Sequence, residues 1–317
     1  MAQPLVGLAG TARLRSSLRA ALACLAGSAA LLAPPPAAAR RTEALVVVAP
    51  HPDDESILAA DTIHAIATDR RFRVRAIYLT SGDAASLPGD CNGVPEAVKI
   101  RRVRKLRERE ARRAWKVLAP NRRVPLEFLR GPDQRLVAAS SLVDGRRVDT
   151  LSADGERVVA RTLRRFARLP RSTAHLWVIT TSRYDAHGDH RTAYAAARAG
   201  AELVAARGTE VRLWSFIVHD EVDGDVPVCC VGDLHWPGPG PTHDHALLTD
   251  SVARPRPPLW NLTKPALNHL IRPAALQRHV SQVGGNPELC MPVFFPDFYT
   301  RWAEKTQEPF YEEVFPR

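Results

Sequence analysis

Val46-Val47-Val48-Ala49-Pro50-His51-Pro52-Asp53-Asp54-Glu55 joins a β-branched apolar run to an imidazole and two adjacent aspartates. A short, continuous apolar run closed by proline reads as a buried parallel strand, and the carboxyl end of such a strand is where α/β proteins place their chemistry. His51 and Asp54 are three residues apart, so on a turn entering a helix both can face one metal ion. Asp53 points elsewhere and stays free to accept a proton. Carboxylates also stabilise helix N-termini, so this stretch alone reads equally well as a cap.

Working outward, short β-branched runs alternate with longer helical stretches, the signature of an α/β fold with a mostly parallel sheet covered by helices. Strands are expected at Ala44–Val48, Phe72–Leu79, Val124–Leu129, His175–Thr180 and Val211–His219. Helices are expected at about Ser56–Thr68, Arg101–Leu118, Glu156–Leu169, an alanine-rich stretch to Ala206, and Pro273–Val283. Polar clusters follow three of these strands: Thr80-Ser81-Gly82-Asp83, Gly131-Pro132-Asp133 and Asp185-Ala186-His187-Gly188-Asp189-His190. The Pro/Gly-rich stretch 227–258 reads as a loop insertion, and an aromatic-rich tail with Phe294, Phe295, Phe298, Tyr299 and Trp302 follows the last helix.

The His187-to-His190 cluster decides between cap and metal site. It supplies a third ligand, a spare imidazole and a carboxylate to orient it, again at a strand's carboxyl end. Three ligands leave one coordination position for solvent, and an unligated carboxylate beside it can act as general base.

Length and composition bound the rest. A chain of 317 residues with 45% hydrophobic content can bury a substantial core. Residues 1–39 contain no acid, carry Arg13, Arg15 and Arg19, run through small apolar residues and end at Ala37-Ala38-Ala39, which reads as a secretory signal peptide cleaved near Ala39. The apolar stretch is shorter than the roughly 20 residues a membrane span needs, so no stable span is expected after cleavage. Losing three arginines takes the formal charge from +10 to +7, favouring anionic partners. Secreted or envelope localisation would suit disulfides among Cys91, Cys229, Cys230 and Cys290; one arrangement ties Cys229 and Cys230 to Cys91 and Cys290, and the alternative is free thiols.

His51-Pro52-Asp53-Asp54-Glu55, Thr80-Ser81-Gly82-Asp83, Arg107-x-x-Glu110 and His187-Gly188-Asp189-His190 together resemble the PIG-L/LmbE family of zinc-dependent de-N-acetylases. Arg272-x-x-Ala275-Leu276-x-x-His279-x-Ser281-Gln282 is similar to that family's closing element, with Arg272 where lysine is usual. The resemblance implies a Rossmann-like three-layer sandwich with the metal at the carboxyl ends of the strands. It makes residues 40–317 a single catalytic domain, with the 227–258 insertion and a C-terminal extension after Val283. It implies one Zn2+ per chain, with Fe2+ the other candidate, held by His51, Asp54 and His190. Asp53 would be the general base, His187 would stabilise the oxyanion or act as acid, and Asp189 would hold the His187 ring. Arg107, and with it Asp83, would contact substrate.

The implied reaction is removal of an N-acetyl group from an N-acetylglucosamine-type amino sugar that is anionic or envelope-associated. The alternatives are another zinc amidase or esterase, or a secreted glycan- or polyanion-binding module with a structural metal. Basic charge without a recognised motif or interleaved aromatics argues against nucleic acid. His219 and Asp220 are second-tier candidates for the same crevice. His243 and His245 form a weak second metal pair, Trp236 reads as a sugar-stacking or core-covering residue, and His64, His175 and His269 read as satisfying local hydrogen bonds. The exposed cations expected on the Arg101–Leu118 helix read as a solvated face.

Overall fold

The computed structural model describes residues 42–143, 146–185, 187–216, 218, 259–263, 271–291 and 307–316. The elements, in chain order, are β1 (Thr42–Ala49), α1 (Asp54–Leu58), α2 (Ala60–Thr68), β2 (Phe72–Thr80), α3 (Glu96–Leu118), β3 (Leu126–Gly131), β4 (Val137–Val143) and β5 (Arg146–Leu151). They continue with α4 (Ala153–Ala167), β6 (Thr173–Thr181), α5 (Gly188–Ala205), β7 (Glu210–Phe216), β8 (Leu259–Thr263), α6 (Ile271–Leu276), α7 (Val280–Val283) and β9 (Gln307–Phe315).

Seven strands form one sheet in the order β3-β2-β1-β6-β7-β9-β8. The first five are parallel, while β9 runs antiparallel to β7 and β8 antiparallel to β9. The fold is thus an α/β sandwich with a mostly parallel sheet, as the alternating pattern predicts. β1 lies between β2 and β6, which explains its unbroken apolar run: Leu45 and Val47 pack into the core beneath α1–α3 and α6, and Val46 and Val48 into the core beneath α4 and α5. Each buried valine contributes roughly 1.5–3 kcal/mol, so both faces must be apolar and alternation disappears. A Cβ on Gly200 would sit 2.4 Å from the Phe166 ring, so that glycine lets α4 and α5 pack closely.

The strand order reverses between β1 and β6. In doubly wound sheets the crevice outside the carboxyl ends of two such strands is where ligands bind. The two loops that leave β1 and β6 are those carrying His51 to Asp54 and His187 to His190.

Several expectations are corrected. The expected helix 56–68 is two helices broken at Ala59 (φ −147°, ψ 35°). The expected helix 273–283 is likewise two short helices, with His279 at the break. β7 is Glu210–Phe216, and Val218 beyond it is a bend, short of the expected strand to His219, itself outside the described residues. A two-stranded antiparallel hairpin, β4–β5, occupies a stretch to which no element is assigned from sequence. Residues after Val283 return to the main sheet as β9.

The Cys91–Cys290 disulfide also replaces the expected pairing through Cys229 and Cys230. Its physical reason is local: Leu87 N donates to Cys290 O at 3.0 Å and Asn92 Nδ2 to Pro287 O at 3.1 Å, so two backbone segments already hold the cysteines together. Residues 1–39, the 227–258 insertion, His219, Asp220, Cys229, Cys230, Trp236, His243, His245, His269 and the aromatics from Phe294 to Trp302 lie outside the described residues. Among the described residues no helix is long and apolar enough to cross a membrane.

Candidate metal centre

Three imidazoles meet at the β1/β6 crevice. The ring centroids of His51 and His187 are 5.0 Å apart, those of His51 and His190 5.2 Å, and those of His187 and His190 5.0 Å. One ring nitrogen from each lies within 4.8 Å of the others, and a second such group is His51 with Asp133 and Asp189. Asp54 joins both histidines: its Oδ2 is 3.1 Å from His51 Nδ1 and 3.6 Å from His190 Nε2, and it accepts the His51 backbone N–H at 2.9 Å. The loops leaving β1 and β6 therefore bring His51, Asp54 and His190 together.

The surroundings orient these rings. His190 is fully buried, and its Nδ1 lies 3.1 Å from Asp185 Oδ2, which also accepts the Val218 N–H at 2.8 Å. A carboxylate on one ring nitrogen fixes the tautomer that presents the other nitrogen to a metal. His187 Nδ1 accepts the backbone N–H of Asp189 at 3.1 Å, which places the ring proton on Nε2. The Asp189 carboxylate accepts Gln134 N–H at 2.7 Å and Leu136 N–H at 3.2 Å, and stands 3.4 Å from His51 Nε2. The expected hold on the His187 ring thus comes from Asp189 through its backbone, while its carboxylate ties the β3–β4 connection to the centre.

Electrostatics agree with a cation site. Burial opposes charge on His51, but Asp133, Asp189 and Asp54 outweigh it and hold the imidazole pKa well above its ordinary value. Burial pushes the Asp54 carboxyl up to about 6 against the pull of His51. Burial would also raise Asp133, yet the His51 charge and hydrogen bond, Arg107 and the Ala84 N–H bring it below the carboxylate range. Burial, then the neighbouring histidines, lowers His190. Three aspartates and three histidines around one crevice supply imidazole and carboxylate donors suited to a divalent transition metal, so these residues fit the implied ion.

Asp53 is built differently. Its backbone sits at φ 146°, ψ −27°, a region that costs a non-glycine residue of order 1–3 kcal/mol and persists only where surroundings over-determine it. Asp53 N donates to Glu55 Oε2 at 3.1 Å, and Asp53 Oδ1 accepts Arg107 Nη2 at 2.8 Å. Arg107 also donates to Pro52 O at 2.9 Å and to Gly82 O at 2.7 Å. Gly82 lies at φ +62°, and a Cβ there would fall 1.7 Å from Arg107 Nη1, so glycine makes room for the guanidinium.

Arg107, expected to contact substrate, is buried and bonded to Asp53 and two carbonyls. Asp83, the other expected substrate contact, is also buried and accepts Arg104 Nη2 at 2.5 Å.

Behind Asp53 lies a second buried network. Glu55 Oε1 is 3.1 Å from Ser56 Oγ and 3.3 Å from His279 Nε2, and Glu110 accepts the Ser281 N–H at 2.8 Å and hydroxyl at 2.6 Å. Arg272 Nη2 is 3.8 Å from Asp61 Oδ2. The C-terminal segment is therefore fastened to the acidic turn through His279, to α3 through Ser281 and to α2 through Arg272. Asp133 and Asp185 are members of the centre to which sequence reasoning gives no role, although both stand in polar clusters at strand ends. His64 Nδ1 lies 3.1 Å from Leu118 O, a local contact as expected.

Residues 46–201 match the family model described as PIG-L: GlcNAc-PI de-N-acetylase. No curated protein matches. Among solved structures, the chain is similar to the zinc-inhibited form of teicoplanin deacetylase Orf2, at 16% identity over 86% of this chain and 98% of that one, with a TM-score of 0.47. It is similar to the conserved protein TT1542 from Thermus thermophilus, at 17% identity over 85% of this chain and 94% of that one, with a TM-score of 0.45. It is also similar to GalB, the 4-carboxy-2-hydroxymuconate hydratase from Pseudomonas putida KT2440, at 17% identity over 87% and 97% of the two chains, with a TM-score of 0.47. Likenesses at these values assign no activity.

Proposed function

We propose, from the match of residues 46–201 to the PIG-L family model, that this chain is a metal-dependent de-N-acetylase acting on an N-acetylglucosamine-type amino sugar. The observation that carries the proposal is the meeting of His51, Asp54 and His190 beside a separately braced Asp53.

In this reading His51, Asp54 and His190 hold one Zn2+, or Fe2+ in its place. When bound, such an ion polarises the acyl oxygen and makes water a better nucleophile. Asp53 takes the proton of the attacking water, and Arg107 and Glu55 keep its carboxylate aimed despite the strained backbone. His187, with its proton on Nε2, hydrogen-bonds to the oxyanion, and the proton that Asp53 takes from water passes to the departing amine. Water adds to the carbonyl carbon, the C–N bond breaks, and the products are acetate and a free amine. Asp133, Asp189 and Asp185 set the charge and ring orientation around the histidines.

Export as a secreted or envelope enzyme is part of the same proposal. Its support is the acid-free leader followed by the Cys91–Cys290 bond, which persists in oxidising compartments. The test is acetate release from N-acetylglucosamine conjugates by the purified chain, compared with Asp53→Ala. Loss of release in the variant with metal retained supports the reading, and equal release by both overturns it.

A further inference from the structure

We infer that the outer face of α3 is a docking ridge for a linear anionic polysaccharide, separate from the metal centre. Arg101, Arg102, Lys105, Arg109, Arg112, Arg113 and Lys116 are all exposed on this helix. At 3.6 residues per turn they fall on one side of it, opposite Arg107 and the core residues Val103, Ala111, Ala114 and Leu118. The helix's acids do not offset them. Glu108 and Glu110 are buried, and Glu96 stands a full turn before the first arginine.

Arg112 lies over the Phe128 ring, 5.0 Å from its centroid. Among the described residues, none of the other six makes an ion pair. Elsewhere on the surface some arginines are matched with acids, such as Arg157 with Asp154, Arg165 with Glu127, and Arg198 with Glu202 and Glu313, while Arg70, Arg164, Arg168 and Arg171 make no ion pair among the described residues. What sets the ridge apart is its density, seven exposed cations on one side of a single helix. Arg101/Lys105, Lys105/Arg109, Arg109/Arg113 and Arg112/Lys116 are like charges at i,i+4, an arrangement that destabilises a helix unless something anionic covers it.

The geometry selects the occupant. Arg101, Lys105, Arg109 and Arg113 form a single file with a rise of about 6 Å per step, and the whole ridge spans about 22 Å along the helix axis. That spacing suits a polymer with one carboxylate or phosphate per sugar-sized repeat. A bilayer surface is less suited, because interfacial helices insert apolar side chains beside their cations and the exposed cationic face carries none. Single-stranded nucleic acid is less suited too, because the aromatic ring beside the cations, Phe128, is covered by Arg112 and stacked on Tyr78, and so is not open to stack a base.

The test is fluorescence anisotropy with labelled polygalacturonate and the full chain at low salt. The quartet Arg101→Gln, Lys105→Gln, Arg109→Gln and Arg113→Gln is compared with a control quartet that removes the same charge elsewhere: Arg70→Gln, Arg164→Gln, Arg168→Gln and Arg171→Gln. The ridge quartet is expected to bind about tenfold more weakly or worse, with a shallower dependence on salt, while the control stays within about twofold of wild type. Helix content and thermal stability of the ridge quartet are expected to hold or rise, since the change relieves repulsion. Equal weakening by both quartets, no binding by wild type, or tighter ridge-dependent binding to anionic vesicles or single-stranded DNA would each overturn the proposal. Binding is read without turnover, so it stands or falls apart from hydrolysis.

Discussion

Replacing Arg107 by lysine keeps the charge beside Asp53 and removes the planar fork. The guanidinium reaches Asp53 Oδ1 at 2.8 Å, Pro52 O at 2.9 Å and Gly82 O at 2.7 Å. A single ammonium on a shorter stem cannot span acceptors contributed by two loops. Two buried acceptors then lose their donor, at about 1–3 kcal/mol each, so the variant is expected to be destabilised by about 2–6 kcal/mol. Asp53 loses the contact that offsets its strained backbone, and a displacement of about 1 Å in a reacting group costs on the order of 100-fold in rate. In steady-state acetate release, kcat is expected to fall about 100-fold while KM stays within about threefold, the outcome for a side chain that acts through Asp53. Metal content and thermal unfolding are measured on the same preparation to show that the loss occurs in folded, loaded protein. A tenfold rise in KM with unchanged kcat would place Arg107 on the substrate and refute this reasoning.

Gly82→Ala is expected to reproduce the Arg107 phenotype, since its Cβ collides with Nη1 and its φ of +62° strains any side chain; an alanine variant with wild-type kcat would contradict that. Reducing the Cys91–Cys290 bond, which closes a sequence separation of 199, is expected to lower stability by up to about 5 kcal/mol in chemical denaturation, with the Cys91→Ser/Cys290→Ser variant matching the reduced protein. Burial works against ionised Glu108, but two bonds from Arg130 and one from Ser81 lower its pKa. A depressed folded-state pKa stabilises above the ordinary carboxylate range and is lost as pH falls through the folded value. The stability advantage of wild type over Glu108→Gln is therefore expected at pH 7 and should shrink as pH falls below the ordinary carboxylate range; a constant difference would exclude the pair as its source.

The parallel part of the sheet was legible because period and chemistry agreed. Val46 to Val48 face two cores, so an unbroken apolar run marked the centre of the sheet, and the histidine clusters stood at the two strand ends flanking the reversal of strand order. The β4–β5 hairpin was overlooked although Asp144-Gly145 between its strands is a strong turn signal. β9 was hidden because Gln307–Phe315 follows a long stretch without a regular pattern and pairs with β7 across a large sequence separation. Arg107 illustrates the limit at the site. Its residue type suits a phosphate or sugar hydroxyl as well as a carboxylate, and only the position of Gly82 and Asp53 around it shows which partner it takes. Asp133 could have been found, since Gly131-Pro132-Asp133 closes a strand of the same sheet; its 3.0 Å approach to His51 depends on where that loop turns.

In the proposed function, the loops leaving β1 and β6 build one divalent-metal site with a braced base beside it. Metal analysis of the purified full chain, run alongside acetate release for wild type, His190→Ala and Asp53→Ala, tests this most directly. The expected result is one divalent ion per wild-type chain, loss of both ion and turnover in His190→Ala, and loss of turnover with the ion retained in Asp53→Ala. Wild-type protein that deacetylates without a bound ion, or His190→Ala that keeps full turnover, would contradict it.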